Sequence, residues 1–207
     1  MLLENSIDIV TFIAYYILGM AQIGGIILAG GKSSRMGEDK AFILFRRKML
    51  IEYSLNLVQK FCNPILISAN SNEYERFGFP VINDEETGCG PLGGIYSCLQ
   101  QSDTDWNFVL SVDSPFVESE FIHSLILHIG NFDAVVPFSE KGKEPLIALY
   151  HKNSLAVIEK MLKSNNFKMH NLLRTINTKF VDSQFWVEKY PQLFRNLNRP
   201  EDFDIVK

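Results

Sequence analysis

Residues 25–40 read GIILAGGKSSRMGEDK, an apolar, β-branched run that passes directly into a glycine-rich and basic loop. A strand that is apolar throughout, rather than at every second position, is typical of a sheet covered on both faces. In open α/β sheets the ligand binds beyond the carboxyl ends of the strands. This junction therefore predicts a covered sheet whose first strand leads into a ligand site.

The rest of the chain repeats the alternation of strand and helix, which implies right-handed crossovers and a mostly parallel sheet. The fold predicted in this way is a three-layer, Rossmann-like α/β fold. Ser119 is a candidate N-cap for the third helix, and an apolar run to Tyr150 with two later helical stretches predicts additions to the sheet. The predicted strands are residues 25–29, 64–68, 79–82, 107–111 and 133–137, and the predicted helices are residues 49–61, 93–101 and 119–129.

The composition is that of a globular chain. Of 207 residues, 46% are hydrophobic and 21% are charged, and 20 Lys and Arg against 24 Asp and Glu give a net charge of −4. Because there is no long basic run, neither nucleic acid nor a membrane is expected as a partner. Three cysteines without a C-x-x-C pair argue against a disulfide scaffold or a structural zinc site and are typical of a reducing compartment. We therefore expect a cytoplasmic protein. Since the sequence shows no internal repeat, low-complexity tract or clear linker, we also expect one domain over residues 20–207.

Residues 1–19 form an extension whose status the sequence leaves open. The apolar stretch at 7–20 is shorter than the about 20 residues of a spanning helix, and Glu4 precedes it instead of a basic group. A signal peptide, an extra amphipathic helix, and an upstream extension with Met20 as the natural start are the three hypotheses. N-terminal sequencing of the native protein distinguishes them.

The loop after the first strand carries three cations, Lys32, Arg35 and Lys40, within nine positions. Gly30 and Gly31 allow a tight turn, and successive backbone N–H groups in such a turn attract anions. A nucleoside triphosphate carries about four negative charges, which these three cations and one Mg²⁺ would roughly balance. The spacing matches neither of two familiar phosphate loops, G-x-x-x-x-G-K-[ST] and G-x-G-x-x-G. An ordinary turn with solvated lysines is the alternative.

Two carboxylates follow later strands. Asp113 comes soon after the strand at 107–111 and is a candidate ligand of Mg²⁺, which usually takes only one or two protein carboxylates. Asp84 follows the strand at 79–82 and could accept hydrogen bonds from ribose or from the N–H edge of guanine. The glycines of residues 87–95 predict a close backbone approach to a base or a phosphate. The alternatives are simple turns for the carboxylates and a flexible loop for the glycines.

Residues 28–40 resemble the L-A-G-G-x-S-x-R-M-G-x-D-K signature of the MobA-like nucleotidyltransferases. Further segments match the family in the same order, so the resemblance spans residues 23–203. It implies a nucleotidyltransferase fold and, more narrowly, the activity of the molybdenum cofactor guanylyltransferases, which join GMP from GTP to molybdopterin and release pyrophosphate. The matching segments are GPLGGI at 90–95, VDSPF at 112–116, EPLIALY at 144–150 and NLNRPED at 196–202.

The resemblance also implies the site, its cofactor and its partners. Mg²⁺ is the expected cofactor, GTP and molybdopterin are the expected substrates, and molybdoenzymes or their chaperones are expected as partners. The chain departs from the family at residues 47–50, where RKML replaces Gly-Lys-Pro-Leu and alters the usual turn. The implied residues are nucleotide contacts at Leu28, Ala29, Gly30, Lys40, Asp84 and Asp113, catalytic groups at Arg35, Lys40 and Asp113, the Mg²⁺ ligand Asp113, and pterin-side contacts at Asn196 and Asn198.

The predicted nucleophile is the terminal phosphate of molybdopterin. A phosphate monoester with a second pKa of about 6 is largely dianionic at neutral pH and needs no general base. This agrees with four histidines that lack ligand spacing and with cysteines that lack a nucleophile's context. The alternatives are a molybdopterin cytidylyltransferase, a sugar-phosphate nucleotidyltransferase of the same fold, and a non-catalytic GTP-binding module.

Overall fold

The computed structural model describes residues 22–30, 39–84 and 88–204, which form ten strands and seven α-helices. The strands are β1 (Ile23–Leu28), β2 (Leu44–Phe45), β3 (Lys48–Met49), β4 (Ile65–Ser68), β5 (Val81–Ile82), β6 (Trp106–Ser111), β7 (Ala134–Ser139), β8 (Gly142–Lys143), β9 (Ile147–His151) and β10 (Thr178–Asp182). The helices are α1 (Leu50–Val58), α2 (Pro91–Gln101), α3 (Ser119–Ile126), α4 (Leu155–Lys163), α5 (Met169–Thr175), α6 (Gln184–Lys189) and α7 (Pro200–Asp204). Short 3₁₀ turns lie at Lys40–Phe42, Asn72–Phe77 and Lys152–Ser154.

The main sheet has the strand order β10-β7-β9-β6-β1-β4-β5, and β8 pairs with β7. Strand β1 lies parallel to β4 and β6, β5 lies parallel to β4, and β10 lies parallel to β7. Only β8 and β9, among the strands of the main sheet in the described residues, run antiparallel to their neighbours. The predicted mostly parallel sheet is therefore confirmed.

The sheet is covered on both faces, as the continuous apolarity of its strands predicts. Alternate side chains of β1 enter two separate cores, Ile23 and Ile27 on one side and Ile26 and Leu28 on the other. Helices α1 and α3 close the first core, while α2, α4 and α5 close the second. Each fully buried Ile or Leu contributes about 1.5–3 kcal/mol to this packing. The result is the three-layer α/β fold expected from the sequence.

Each predicted strand and helix corresponds to an element of the structure, with differences at the ends. The Ser119 prediction is wrong: α3 begins at Ser119, Glu118 occupies the N-cap position, and no side chain caps the helix there. The helix also ends before residue 129, because its buried face ends with Ile126 and Leu127 is 53% exposed. The additions to the sheet are β9 and β10. Within the described residues, no helix combines the length and apolarity needed to cross a membrane.

Strands β2 and β3 form a small hairpin beside the main sheet. Arg46 and Arg47 make its turn with φ angles of 46° and 71°, in the left-handed region that favours glycine. The departure at residues 47–50 begins within this turn, at Arg47. The hairpin packs against a third apolar cluster around Leu50 and Leu197, which connects it to the last part of the chain.

Candidate active site

Three residues from distant parts of the sequence meet at the carboxyl edge of the sheet. The Lys40 Nζ atom donates hydrogen bonds to Asp113 Oδ2 at 3.3 Å and to Asn198 Oδ1 at 2.8 Å. The Lys40 and Asp113 side chains are 16% and 20% exposed, so their attraction is screened less than that of a surface ion pair. The structure thus brings together the predicted phosphate-binding lysine, the predicted metal ligand and one predicted pterin-side asparagine.

Lys40 is carried by the 3₁₀ turn Lys40–Phe42. Asp39 precedes this turn as its N-cap, and its Oδ1 atom accepts the Ala41 N–H at 3.1 Å. Ala41 is fully buried and fixes the turn to the core on the α1 side of the sheet. The lysine therefore extends from a turn that is held both by an N-cap and by packing.

Asp113 is fixed by the backbone on both sides of it. The Val112 N–H donates to the Leu28 carbonyl at 3.1 Å, which extends the pairing of β6 with β1 beyond the end of the strand. The Asp113 carbonyl accepts the Leu197 N–H at 2.9 Å. The carboxylate is thus held at the carboxyl end of β6, between the first strand and the last part of the chain.

The C-terminal segment, residues 195–199, lies across this edge of the sheet. Leu197 is fully buried against Phe45 and Leu50 of the third apolar cluster. Next to it, the Ser114 hydroxyl donates to Asn196 Oδ1 at 2.8 Å. Of the two predicted pterin-side asparagines, Asn198 therefore contacts the predicted phosphate-binding Lys40, and Asn196 contacts Ser114, the neighbour of the predicted metal ligand Asp113.

Asp84 lies at the other side of the first strand, near the amino end of α2. Its Oδ1 atom accepts the Ser68 hydroxyl at 3.3 Å, and its backbone N–H donates to Asn70 Oδ1 at 2.9 Å. A Cβ placed on Gly94 would lie 2.3 Å from Ser68 Oγ and 3.2 Å from Asp84 Oδ1, so this glycine allows α2 to approach the carboxylate. Burial raises the pKa of Asp84, and the Ser68 hydrogen bond offsets part of that rise.

Residues 28–30 lie beside the end of β4. The N–H groups of Ala29 and Gly30 both donate to the Ser68 carbonyl, at 3.0 and 2.9 Å. The Gly30 amide is thus used to pair with the end of β4, and the nucleotide contact predicted for Gly30 stays a prediction because the rest of its turn lies outside the described residues. Leu28 and Ala29 are each 6% exposed, whereas Gly30 is exposed at the edge.

Comparison of the sequence with known families identifies a domain that contains this site. Residues 25–179 match the family model of the MobA-like NTP transferase domain. The chain belongs to the MobA-like NTP transferase family. This match covers more than half of the chain and contains Lys40, Asp84 and Asp113, while the C-terminal segment lies beyond it. The family predicted from the sequence is confirmed.

Curated relatives of this MobA-like domain carry the name of the predicted activity. A "probable molybdenum cofactor guanylyltransferase" of Halalkalibacterium halodurans is 34% identical over 187 residues, 86% of this chain and 94% of the relative. One of Flavobacterium johnsoniae is 35% identical over 188 residues, 90% of this chain and 92% of the relative. The crystal structure of molybdopterin-guanine dinucleotide biosynthesis protein A from Archaeoglobus fulgidus matches with a TM-score of 0.77, at 23% identity over 88% of this chain and 96% of that one. The last comparison supports the fold.

The residues of the MobA-like site fit a magnesium ion held mainly by its substrate. Within the described residues, no group of three or more His, Cys, Asp or Glu side chains is arranged to hold a metal ion. Mg²⁺ usually binds through one or two carboxylates and completes its shell with water and phosphate oxygens. The Asp113 carboxylate, 20% exposed at the edge, is suited to be such a ligand.

Some of the site lies outside the predictions or outside the described residues. Arg35, a predicted catalytic residue, falls in the stretch 31–38 that the structure does not describe. Sequence reasoning missed Ser114 and Tyr74, the second of which hydrogen-bonds both Asp39 and the Ala29 carbonyl. The signal for Ser114 was its place next to Asp113, whereas nothing in the local sequence pattern marks Tyr74.

Proposed function

We propose that this MobA-like domain transfers GMP from GTP to the terminal phosphate of molybdopterin, forming a guanine dinucleotide and pyrophosphate. The observation that carries the proposal is the placement of the Lys40 ammonium between Asp113 and Asn198. It joins the signature loop, the end of β6 and the C-terminal segment in one site. The name of the curated relatives, molybdenum cofactor guanylyltransferase, supports a guanylyl donor and a molybdenum cofactor as the two substrates.

The reaction must bring two anions together, because the attacking phosphate approaches the α-phosphate of a nucleotide. Catalysis therefore depends on positioning and on neutralising charge. Lys40 supplies a positive charge that is already oriented by two acceptors, so little reorganisation is needed when the phosphates bind. We assign Arg35 a second positive charge on the same phosphates, from its place in the signature loop.

Asp113 is the residue that we assign to Mg²⁺. A bound Mg²⁺ supplies a Lewis acid that draws charge from the phosphoryl oxygens. Asp113 also pairs with Lys40, so a single carboxylate would both orient the ammonium and hold the metal. Because of this double role, we expect the loss of Asp113 to lower turnover more than the loss of Lys40 or Asn198 does.

Asp84 is the residue that we assign to the nucleoside. Its carboxylate accepts only the Ser68 hydroxyl among the hydrogen bonds found for its side chain in the described residues. Carboxylate oxygens offer about four acceptor sites, so capacity remains for the N–H edge of guanine or for ribose hydroxyls. Gly94 keeps the space next to this carboxylate free of a side chain.

The test is to supply the purified protein with Mg·GTP and molybdopterin and to measure guanine dinucleotide and pyrophosphate. Parallel reactions with CTP, ATP and UTP separate this function from cytidylyl transfer. We expect both products from GTP in equal amounts. Mg·GTP binding without pyrophosphate release would instead indicate a non-catalytic module, and dinucleotide formation from CTP alone would indicate a cytidylyltransferase.

Asp113→Ala tests the assigned metal ligand. Because the metal and the orientation of Lys40 are both lost, we expect a decrease in turnover of at least about 10²-fold, similar to the loss of a preorganised charged group. Asp103→Ala is the matched control, since Asp103 is an exposed aspartate that precedes β6, at the opposite end of the same strand. Normal turnover by a folded Asp113→Ala protein would refute the assignment.

A further inference from the structure

Tyr74 is a buried residue that the proposed mechanism does not use. It lies in the 3₁₀ turn Asn72–Phe77, is 1% exposed, and packs its ring against Phe42 with centroids 4.8 Å apart. Its hydroxyl lies 2.7 Å from Asp39 Oδ2 and 3.2 Å from the Ala29 carbonyl oxygen. These two acceptors flank residues 30–38 of the signature loop, so one side chain connects the end of β1 to the residue before Lys40.

The contacts form a chain that ends at the proposed catalytic lysine. Asp39 uses Oδ2 to accept from Tyr74 and Oδ1 to accept from the Ala41 N–H. The second of these bonds is the N-cap of the turn that carries Lys40. Tyr74 thus acts on Lys40 through the orientation of a single carboxylate.

The same chain keeps two adjacent and opposite charges apart. Asp39 and Lys40 are neighbours in sequence, and an unanchored Asp39 carboxylate would compete for the lysine ammonium. Held by Tyr74 and Ala41, the carboxylate is directed away, and Lys40 contacts Asp113 and Asn198. Burial and the bond to Asp39 both raise the pKa of Tyr74, so its hydroxyl remains a proton donor at neutral pH.

We infer that Tyr74 is a positioning residue for nucleotidyl transfer: its one O–H donates mainly to the Asp39 carboxylate, with the Ala29 carbonyl as a second and more distant acceptor, and thereby directs Lys40 toward the phosphates. This inference rests on the proposed function. It assigns a role to a residue of the 3₁₀ turn between β4 and β5, outside the segments that contact the substrates in that proposal.

The test is Tyr74→Phe, which removes one hydroxyl and keeps the ring. Tyr150→Phe is the matched control, because Tyr150 is also fully buried and donates to a backbone carbonyl, that of Pro145, at 2.8 Å. Both variants are measured for thermal stability, for Mg·GTP affinity, and for kcat/KM with GTP. We expect Tyr74→Phe to lower GTP affinity and kcat/KM by about fivefold or more, as for directly coupled neighbours, and Tyr150→Phe to change stability alone.

A double-mutant cycle with Lys40→Ala separates positioning from a merely structural role. If Tyr74 acts through Lys40, Tyr74→Phe changes GTP affinity by less than about twofold once Lys40 is absent. Equal effects with and without Lys40, or wild-type affinity in a folded Tyr74→Phe protein, would overturn the inference. If Tyr74→Phe does not fold, Asp39→Asn interrupts the same chain at its next member and is used in its place. A wild-type protein that binds Mg·GTP but forms no dinucleotide refutes the proposed function, and the cycle on GTP affinity is then still informative about Tyr74.

Discussion

Asp84→Asn should make the protein more stable and less active at the same time. The carboxylate is half-buried, and its side chain accepts one long hydrogen bond, from Ser68 at 3.3 Å. Burial raises its pKa above the ordinary value of 3.8, which means that the folded protein holds the charged form at a cost in free energy. Asparagine has the same shape, keeps an acceptor for Ser68, and removes the charge.

The pH dependence of this effect has a defined sign. Below pH 3.8 the Asp84 carboxyl is protonated in both the folded and the unfolded chain, so the wild type and the Asp84→Asn variant should have similar stability. As the pH rises from 3.8 through the higher pKa of the folded state, the unfolded chain loses its proton first, and the wild type loses stability relative to the variant. The difference in melting temperature should therefore open across this window and remain constant at neutral pH.

The loss of activity follows from the proposed contact with the nucleoside. A hydrogen bond to a charged acceptor contributes about 1.5–3 kcal/mol, so losing one such bond to guanine or ribose should weaken GTP binding by about 10–100-fold. Thermal unfolding from about pH 3 to 8, with and without Mg·GTP, measures both effects on one sample. A variant that is less stable than the wild type at neutral pH would contradict the free-energy cost of the buried charge. A variant that binds GTP normally would contradict the assignment of Asp84 to the nucleoside.

Two further predictions concern stability alone. Arg47→Gly should raise the free energy of unfolding by about 0.5–1 kcal/mol, because φ at Arg47 is 71° and glycine adopts this left-handed conformation without strain. Arg174→Gly is the control: Arg174 lies in helix α5, where glycine is unfavourable, so this change should lower the free energy of unfolding by about 1 kcal/mol. Chemical denaturation measures both, and a destabilised Arg47→Gly would show that the side chain contributes more than the turn conformation costs. Ser54→Ala in α1 should stabilise the protein by about 1 kcal/mol, since the buried Ser54 hydroxyl has no hydrogen-bond partner in the described residues. Ser124→Ala in α3 is its control: that hydroxyl donates to the Phe121 carbonyl at 2.7 Å, so its loss should not stabilise.

The parts of the fold that could be predicted are those whose signal is local. The residues of β1 are apolar or glycine and are all buried, so the strand is visible in the sequence without knowledge of its neighbours. Strand β10, with the sequence TKFVD, mixes charged and apolar residues and is mostly half-exposed at the edge of the sheet. An edge strand gains its stability from pairing with one neighbour, and the sequence of the strand does not show that pairing.

The candidate site divides in the same way. The meeting of Lys40 and Asp113 is predictable because both follow parallel strands, whose carboxyl ends share one edge of the sheet. Tyr74 sits in NEYERF, a polar segment with two acidic neighbours that is typical of an exposed loop. Its burial depends on Phe42, which packs against both the Tyr74 ring and the Arg76 guanidinium, and this contact spans about 30 residues of sequence.

The C-terminal segment shows how one buried residue places its neighbours at the site. Leu197 is fully buried in the third apolar cluster, and Asn196 and Asn198 on either side of it contact Ser114 and Lys40. There their Oδ1 atoms are occupied by Ser114 and Lys40, but each amide also has an Nδ2 group with two donors. The pterin-side role predicted for these asparagines is therefore compatible with their contacts in the structure: the Oδ1 atoms accept from Lys40 and Ser114, and the amide nitrogen is the part that we assign to the acceptor substrate.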